Sequence, residues 1–234
     1  MIKIENISFS YNKKSNVLNN FNLEANQEEI IGVLGHNGAG KTTLFRIILG
    51  LITPHSGKVV INSQIDSISK NQRGYISYMP ENGGIYDKLN AFENLQFRAE
   101  LSKLDKNRIH TDSEKLLKEL ALLDRASEKV GFWSNGMRKR LSFACSLISN
   151  PRVLLLDEPT NGLDPVSLNI ITNIILERKK TGNITLINSH DLTTIQELCN
   201  RIIIIQDGEK IYDGKVDQIS SSLKEFYLQI TSKE

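Results

Sequence analysis

Residues 35 to 43 read Gly35-His36-Asn37-Gly38-Ala39-Gly40-Lys41-Thr42-Thr43. The densely apolar run Ile30–Gly35 leads into this stretch, and a helical pattern from about Lys41 to Leu49 leaves it. Strand, glycine-rich loop and helix in that order fit the pattern G-x-x-x-x-G-K-[ST]. Glycines at 35, 38 and 40 let backbone amides turn inward on an anion, and the helix behind them adds its N–H groups and positive dipole end. Lys41 supplies a point charge for β- and γ-phosphates, and Thr42 supplies a hydroxyl ligand for Mg²⁺. Thr43 is expected to hydrogen-bond a phosphate nearer the ribose.

Outward from the loop, apolar alternation at Ile2, Ile4, Ile7 and Phe9, then from Val17 to Leu23, predicts an antiparallel β layer. Further strands are expected at Gly57–Ile61 and Tyr75–Met79. After Pro80 the spacing turns helical, with Leu95, Leu101, Leu116, Leu117 and Leu120 on apolar faces, so a helical insert is expected over about 84–150. Beyond Pro151 strand and helix alternate again: Val153–Leu156, a helix after Pro165, Ile184–Ile187, a helix after Asp191, and Ile202–Ile205. The expected class is α/β, a mostly parallel sheet with helices joined by an antiparallel β subdomain and an inserted α-helical subdomain. Asp207-Gly208 between two apolar runs signals a hairpin, with a short tail after it.

The strand Val153-Leu154-Leu155-Leu156 ends in Asp157-Glu158. Side chains at the C-terminal edge of a parallel sheet face its ligand crevice. Two adjacent carboxylates there suit a division of labour, with Asp157 in a Mg²⁺ shell and Glu158 polarising an attacking water. Alone, an apolar strand capped by two acids is weak evidence.

Composition sets the limits. The 234 residues are 39% hydrophobic, enough for a sizeable core, and carry 29 basic against 27 acidic residues for a formal charge of +2. Lacking a run of five or six like charges, the chain gives no footprint for nucleic acid. Cys145 and Cys199 stand far apart in half-apolar helical stretches and read as buried, reduced thiols. The N-terminus alternates like a strand, without a signal-peptide layout, and apolar runs fall short of the ~18 residues of a membrane span. A cytosolic chain is expected.

The stretch Ser134-Asn135-Gly136-Met137-Arg138-Lys139-Arg140-Leu141 lies between the two motifs and precedes a helix expected over Met137–Ile148. Read alone, Ser134 is an ordinary helix cap. In this order the motifs resemble the ABC ATPase cassette, over nearly the whole chain. The resemblance implies a P-loop NTPase fold in a single domain over 1–234, with a RecA-like core at about 1–83 and 151–234 and a helical signature subdomain at about 84–150. It implies ATP and Mg²⁺ as cofactors. ATP-binding residues would be Tyr11, which would stack on adenine, the loop Gly35, His36, Asn37, Gly38, Ala39, Gly40, Lys41, Thr42 and Thr43, then Glu81, Ser134, Gly136 and Asp164. Catalytic roles would fall to Glu158, His190 and Lys41, with His190 as the switch that hydrogen-bonds the γ-phosphate; Thr42, Glu81 and Asp157 would hold Mg²⁺. Ser134 and Gly136 would reach the γ-phosphate held by a second cassette, and Gly162-Leu163-Asp164 would cross to that partner.

The family carries a glutamine where this chain has Glu81, in Met79-Pro80-Glu81-Asn82. A carboxylate can ligate Mg²⁺, but it adds negative charge and cannot donate a hydrogen bond. The signature reads Ser-Asn-Gly-Met where its commonest form is Ser-Gly-Gly-Gln. Pro80-Glu81 followed by Gly83-Gly84-Ile85-Tyr86 resembles a subgroup of cassettes that drive exporters. The resemblance thus implies an ATP-hydrolysing motor subunit of an ABC transporter, peripheral on the cytoplasmic face of the cell membrane. Its partners would be an integral membrane permease and a second copy of itself or a paralogous cassette. The competing reading is a soluble ABC ATPase acting on ribosomes, DNA or a protein assembly.

Overall fold

A computed structural model of the protein describes residues 1–12, 16–62, 65–66 and 74–232. In chain order these form β1 (Ile2–Phe9), β2 (Leu18–Ala25), β3 (Ile30–Leu34), α1 (Lys41–Ile48), β4 (Ser56–Ile61) and β5 (Ile65–Asp66). Next come β6 (Ile76–Met79), α2 (Ala91–Leu101), α3 (Lys106–Glu119), α4 (Asn135–Leu147), β7 (Val153–Asp157) and α5 (Pro165–Lys180). The chain continues through β8 (Ile184–Asn188), α6 (Leu192–Leu198), β9 (Arg201–Gln206), β10 (Glu209–Lys215) and α7 (Leu223–Thr231). They gather into two compact units, one of Met1–Asn71 with Ile184–Glu234 and one of Gln72–Asn183.

The first unit holds an antiparallel sheet of order β2-β1-β4-β5. Ile2, Ile4, Ile7 and Phe9 of β1 are all buried, yet Ile4 and Ile7 are three residues apart. The pairing with β2 shifts register between them, and Asn6 takes a left-handed φ of 52°. This bulge absorbs one extra residue and returns the apolar side chains to the same face.

The same unit carries strands in the order β10-β9-β3-β8, with β3 parallel to both β8 and β9. All five residues of β3 and of β8 are buried, as a strand covered on both faces requires. Asp207 and Gly208, at φ 48° and 81°, turn β9 into β10, and positive φ at both central residues is what a tight hairpin needs. Gly35 closes β3 with a φ of 154°; a Cβ there would lie 2.3 Å from the Ile205 carbonyl oxygen, so only glycine fits.

In the second unit β6 runs parallel to β7, with Ile76 opposite Val153 and Met79 opposite Leu156. Its helices start on side-chain caps: Asn90 with Glu93 in a capping box on α2, Asp105 on α3, Ser134 on α4 and Asp164 ahead of Pro165 on α5. Several boundaries differ by one or two residues from the sequence expectation, those of α4 and β6 among them. Because Ser134 is the cap, α4 begins at Asn135 rather than Met137, and β6 begins at Ile76 although the Tyr75 carbonyl still accepts from the Val153 amide. Both cysteines are buried and unbridged, and burial pushes the Cys145 thiol up to about 12 and that of Cys199 higher still.

Candidate active site

Residues 35–40 wrap a tight loop in the first unit, closed by the Ala39 amide donating to the His36 carbonyl. Gly38 and Gly40 take φ of 89° and 108°, left-handed values that a side chain resists. Helix α1 opens behind the loop without a side-chain cap and without an acid in its first turn. Its N-terminal dipole end is therefore offered to an external anion. Lys41 Nζ folds over the loop, donating to the Gly35 carbonyl at 2.6 Å and the His36 carbonyl at 3.0 Å. These donors suit a polyphosphate, whose oxygens would compete with those carbonyls for the ammonium. His36 itself is exposed, with Nδ1 2.8 Å from the Asn37 carbonyl and Nε2 3.7 Å from Asp207.

Tyr11 is 57% exposed, and its ring meets Phe9 edge-on with centroids 4.9 Å apart. Its hydroxyl lies 3.2 Å from Thr43 Oγ1 and accepts from Arg46 at 3.2 Å, so α1 fixes an exposed aromatic face beside the loop helix. Burial raises the phenol's pKa, but the hydrogen bonds with Thr43 and Arg46 outweigh it and leave it below the ordinary value. His190 is exposed just past β8, in a turn where the Asp191 amide donates to Ser189 Oγ at 3.1 Å and Asp191 caps α6.

In the second unit Asp157 ends β7 and Glu158 follows it in the turn, 3% and 9% exposed. Tyr78 on β6 donates its hydroxyl to Asp157 Oδ2 at 3.1 Å. Glu158 takes a φ of 50°, a conformation costing a non-glycine residue about 1–3 kcal/mol. Its carbonyl accepts from Lys139 Nζ at 2.6 Å. Glu81 is exposed, and its carbonyl lies 3.5 Å from the same ammonium.

Ser134 is exposed, and its hydroxyl accepts from the Met137 amide at 3.3 Å. A Cβ on Gly136 would sit 3.0 Å from Asp164 Oδ2 and 3.2 Å from Ser167 Oγ, so the α4 start packs closely on the α5 start. Asp164 accepts from the Ser167 amide and hydroxyl, which hold its carboxyl below the usual range. Sequence reasoning missed Tyr78, Arg46 and Lys139. Tyr78 could have been found from its place two positions ahead of Pro80 on a strand paired with the acidic one, whereas Arg138-Lys139-Arg140 reads as a solvated basic run.

A glycine loop feeding an uncapped helix, with an apolar strand ending in two buried acids, defines the class of P-loop ATPases. Residues 18–161 match the family model described as ABC transporter. The ABC transporter ATP-binding protein NatA of Bacillus subtilis is 34% identical over 95% of this chain and 92% of its own length. The lipopolysaccharide export system ATP-binding protein LptB of Haemophilus influenzae is 33% identical over 97% of each chain. A solved dimeric structure of the ATP-binding cassette MJ0796, in a post-hydrolysis state bound to ADP and Pi, superposes with a TM-score of 0.83 at 25% identity, covering 92% of this chain and 99% of that one. The chain belongs to the ABC transporter ATP-binding family, and its activity is ATP binding and hydrolysis.

Proposed function

We propose that this chain is the motor of an exporter, docked on the cytoplasmic face of the cell membrane against a separate integral membrane permease. The observation that carries the nucleotide half is the uncapped start of α1 behind Gly35–Gly40, with Lys41 laid across the loop. In this reading the loop amides, His36, Asn37 and Ala39 included, and Lys41 hold the phosphates, Thr43 bonds a phosphate nearer the ribose and Tyr11 stacks on adenine. Thr42, Asp157 and Glu81 would hold Mg²⁺, which when bound would neutralise phosphate charge. Asp157 is kept in place by Tyr78, and its acceptor oxygens suit that hard cation. Glu158 takes the proton of the attacking water as general base, and His190 donates to the γ-phosphate. Ser134, Gly136 and Asp164 act on the nucleotide of a second cassette, identical or paralogous, in a head-to-tail dimer. Residues 1–83 and 151–234 form the ATPase core and 84–150 the signature subdomain.

Among the described residues no helix is long and apolar enough to cross a membrane. Tyr86 and Phe97, both partly exposed, meet edge-on at 5.1 Å beside Glu81–Leu89 and give the permease an aromatic foothold. Export is supported by Pro80-Glu81 with Gly83-Gly84-Ile85-Tyr86 and by the export system to which the Haemophilus relative's name refers. The tagged Glu158→Gln chain, recovered with Mg-ATP from detergent-solubilised native membranes, is expected to bring down an integral membrane protein at near-equal stoichiometry. Recovery of ribosomal, DNA-bound or other soluble partners alone would overturn the transporter role.

A further inference from the structure

Lys139 lies in the second turn of α4 and is 8% exposed, rare burial for a lysine. Its ammonium reaches the Glu158 carbonyl at 2.6 Å and the Glu81 carbonyl at 3.5 Å. Three residues on, Ser142 Oγ donates to the Gly83 carbonyl at 2.5 Å, so one face of α4 grips the 81–83 loop twice and the turn after β7 once. Burial pulls the Lys139 pKa below the ordinary lysine value, while the charges of Glu158, Glu81 and Asp157 act in the opposite sense. A desolvated ammonium persists where acceptors and opposite charge accompany it: here the two backbone carbonyls are the acceptors, and the three carboxylates supply the charge.

We propose that Lys139 is a positioning residue for hydrolysis: it holds the backbone of Glu158 in its left-handed turn and offsets the extra negative charge that Glu81 brings to the Asp157–Glu158 pair. The proposal rests on the reading of Glu158 as base and Glu81 as a metal ligand. Glu158 is not a glycine, and a φ of 50° persists only where its surroundings over-determine it. The 2.6 Å bond from a charged donor supplies such a constraint, and its loss lets the carboxylate leave its working position. The charge acts in the other direction on the metal. Without the ammonium the carboxylates form a more negative site, so a divalent cation binds more tightly while turnover falls.

The test uses the full chain with Mn²⁺ as probe. Metal half-saturation is read by electron paramagnetic resonance with a non-hydrolysable ATP analogue, and kcat is read separately. Lys139→Met is expected to lower kcat at least tenfold and to lower the Mn²⁺ half-saturation concentration severalfold. Adding Glu81→Gln to it is expected to return the half-saturation toward the native value. If Lys139→Met fails to fold, Lys139→Gln keeps a donor for the Glu158 carbonyl without the charge, and should show the same metal shift with a smaller loss of kcat. A kcat within twofold of native, or metal binding that weakens along with kcat, would overturn the proposal. Glu158→Gln is the reference: turnover surviving there strikes down the base assignment, whereas a dead Glu158→Gln beside an unaffected Lys139→Met strikes down only the role of Lys139.

Discussion

Asp213 is the acceptor of a compact charge network on β10. Arg201 donates from Nε to Oδ1 at 2.7 Å and from Nη2 to Oδ2 at 3.0 Å, and Lys210 donates to Oδ2 at 2.6 Å. Burial raises this carboxyl, but the bonds from Arg201 and Lys210 outweigh it and leave its pKa below the ordinary aspartate value. A carboxyl lowered in the folded state stabilises the fold above its unfolded value, near 3.9, and loses that contribution as pH falls through the lower folded value. Asp213→Asn is therefore expected to cost about 2 kcal/mol at neutral pH. Denaturant unfolding at stepped pH should show the gap from the native chain shrinking below about pH 4; a gap of constant size would contradict the assignment. Lys139 belongs to the same scale but could not be seen in the sequence. Flanked by Arg138 and Arg140 it looks solvated, and the packing of α4 against the 81–83 loop and the turn after β7 buries it.

Among the elements, β7 matches β3 and β8 in burying every residue. All five residues, Val153 to Asp157, are buried, and the strand delivers Asp157 at its end with Glu158 next in the chain. Leu155 is fully buried, and Leu155→Ala is expected to destabilise the protein by about 2–5 kcal/mol through lost burial and the cavity left behind. Thermal unfolding checks this, and a change under 1 kcal/mol would show that the strand has room to collapse. Elements of this kind were legible in the sequence, because continuous apolar runs such as Val153–Leu156 and Ile202–Ile205 bury both faces. The bulge between Ile4 and Ile7 left its mark as a spacing of three in an alternating run. Element ends were less legible: Ser134 as cap starts α4 two residues early, a choice settled by side-chain geometry at the turn.

At the scale of the whole molecule, the α/β class and both nucleotide motifs could be read from local patterns, since a glycine loop and its helix are contiguous in the chain. The order β9-β3-β8 could not, because parallel pairing joins residues far apart in sequence and leaves no local signature. The close packing of Gly136 on Asp164 is equally silent, since the two are 28 positions apart and meet only because α4 and α5 start side by side. Both residues are proposed to act on a partner's nucleotide, and under that proposal function at this scale is a property of two cassettes. The most direct measurement is steady-state ATP hydrolysis by Glu158→Gln together with its molar mass in solution with and without Mg-ATP. Turnover reduced to background with an ATP-dependent shift from monomer to dimer is expected; native-like turnover, or a mass indifferent to ATP, would contradict a shared site with Glu158 as its base.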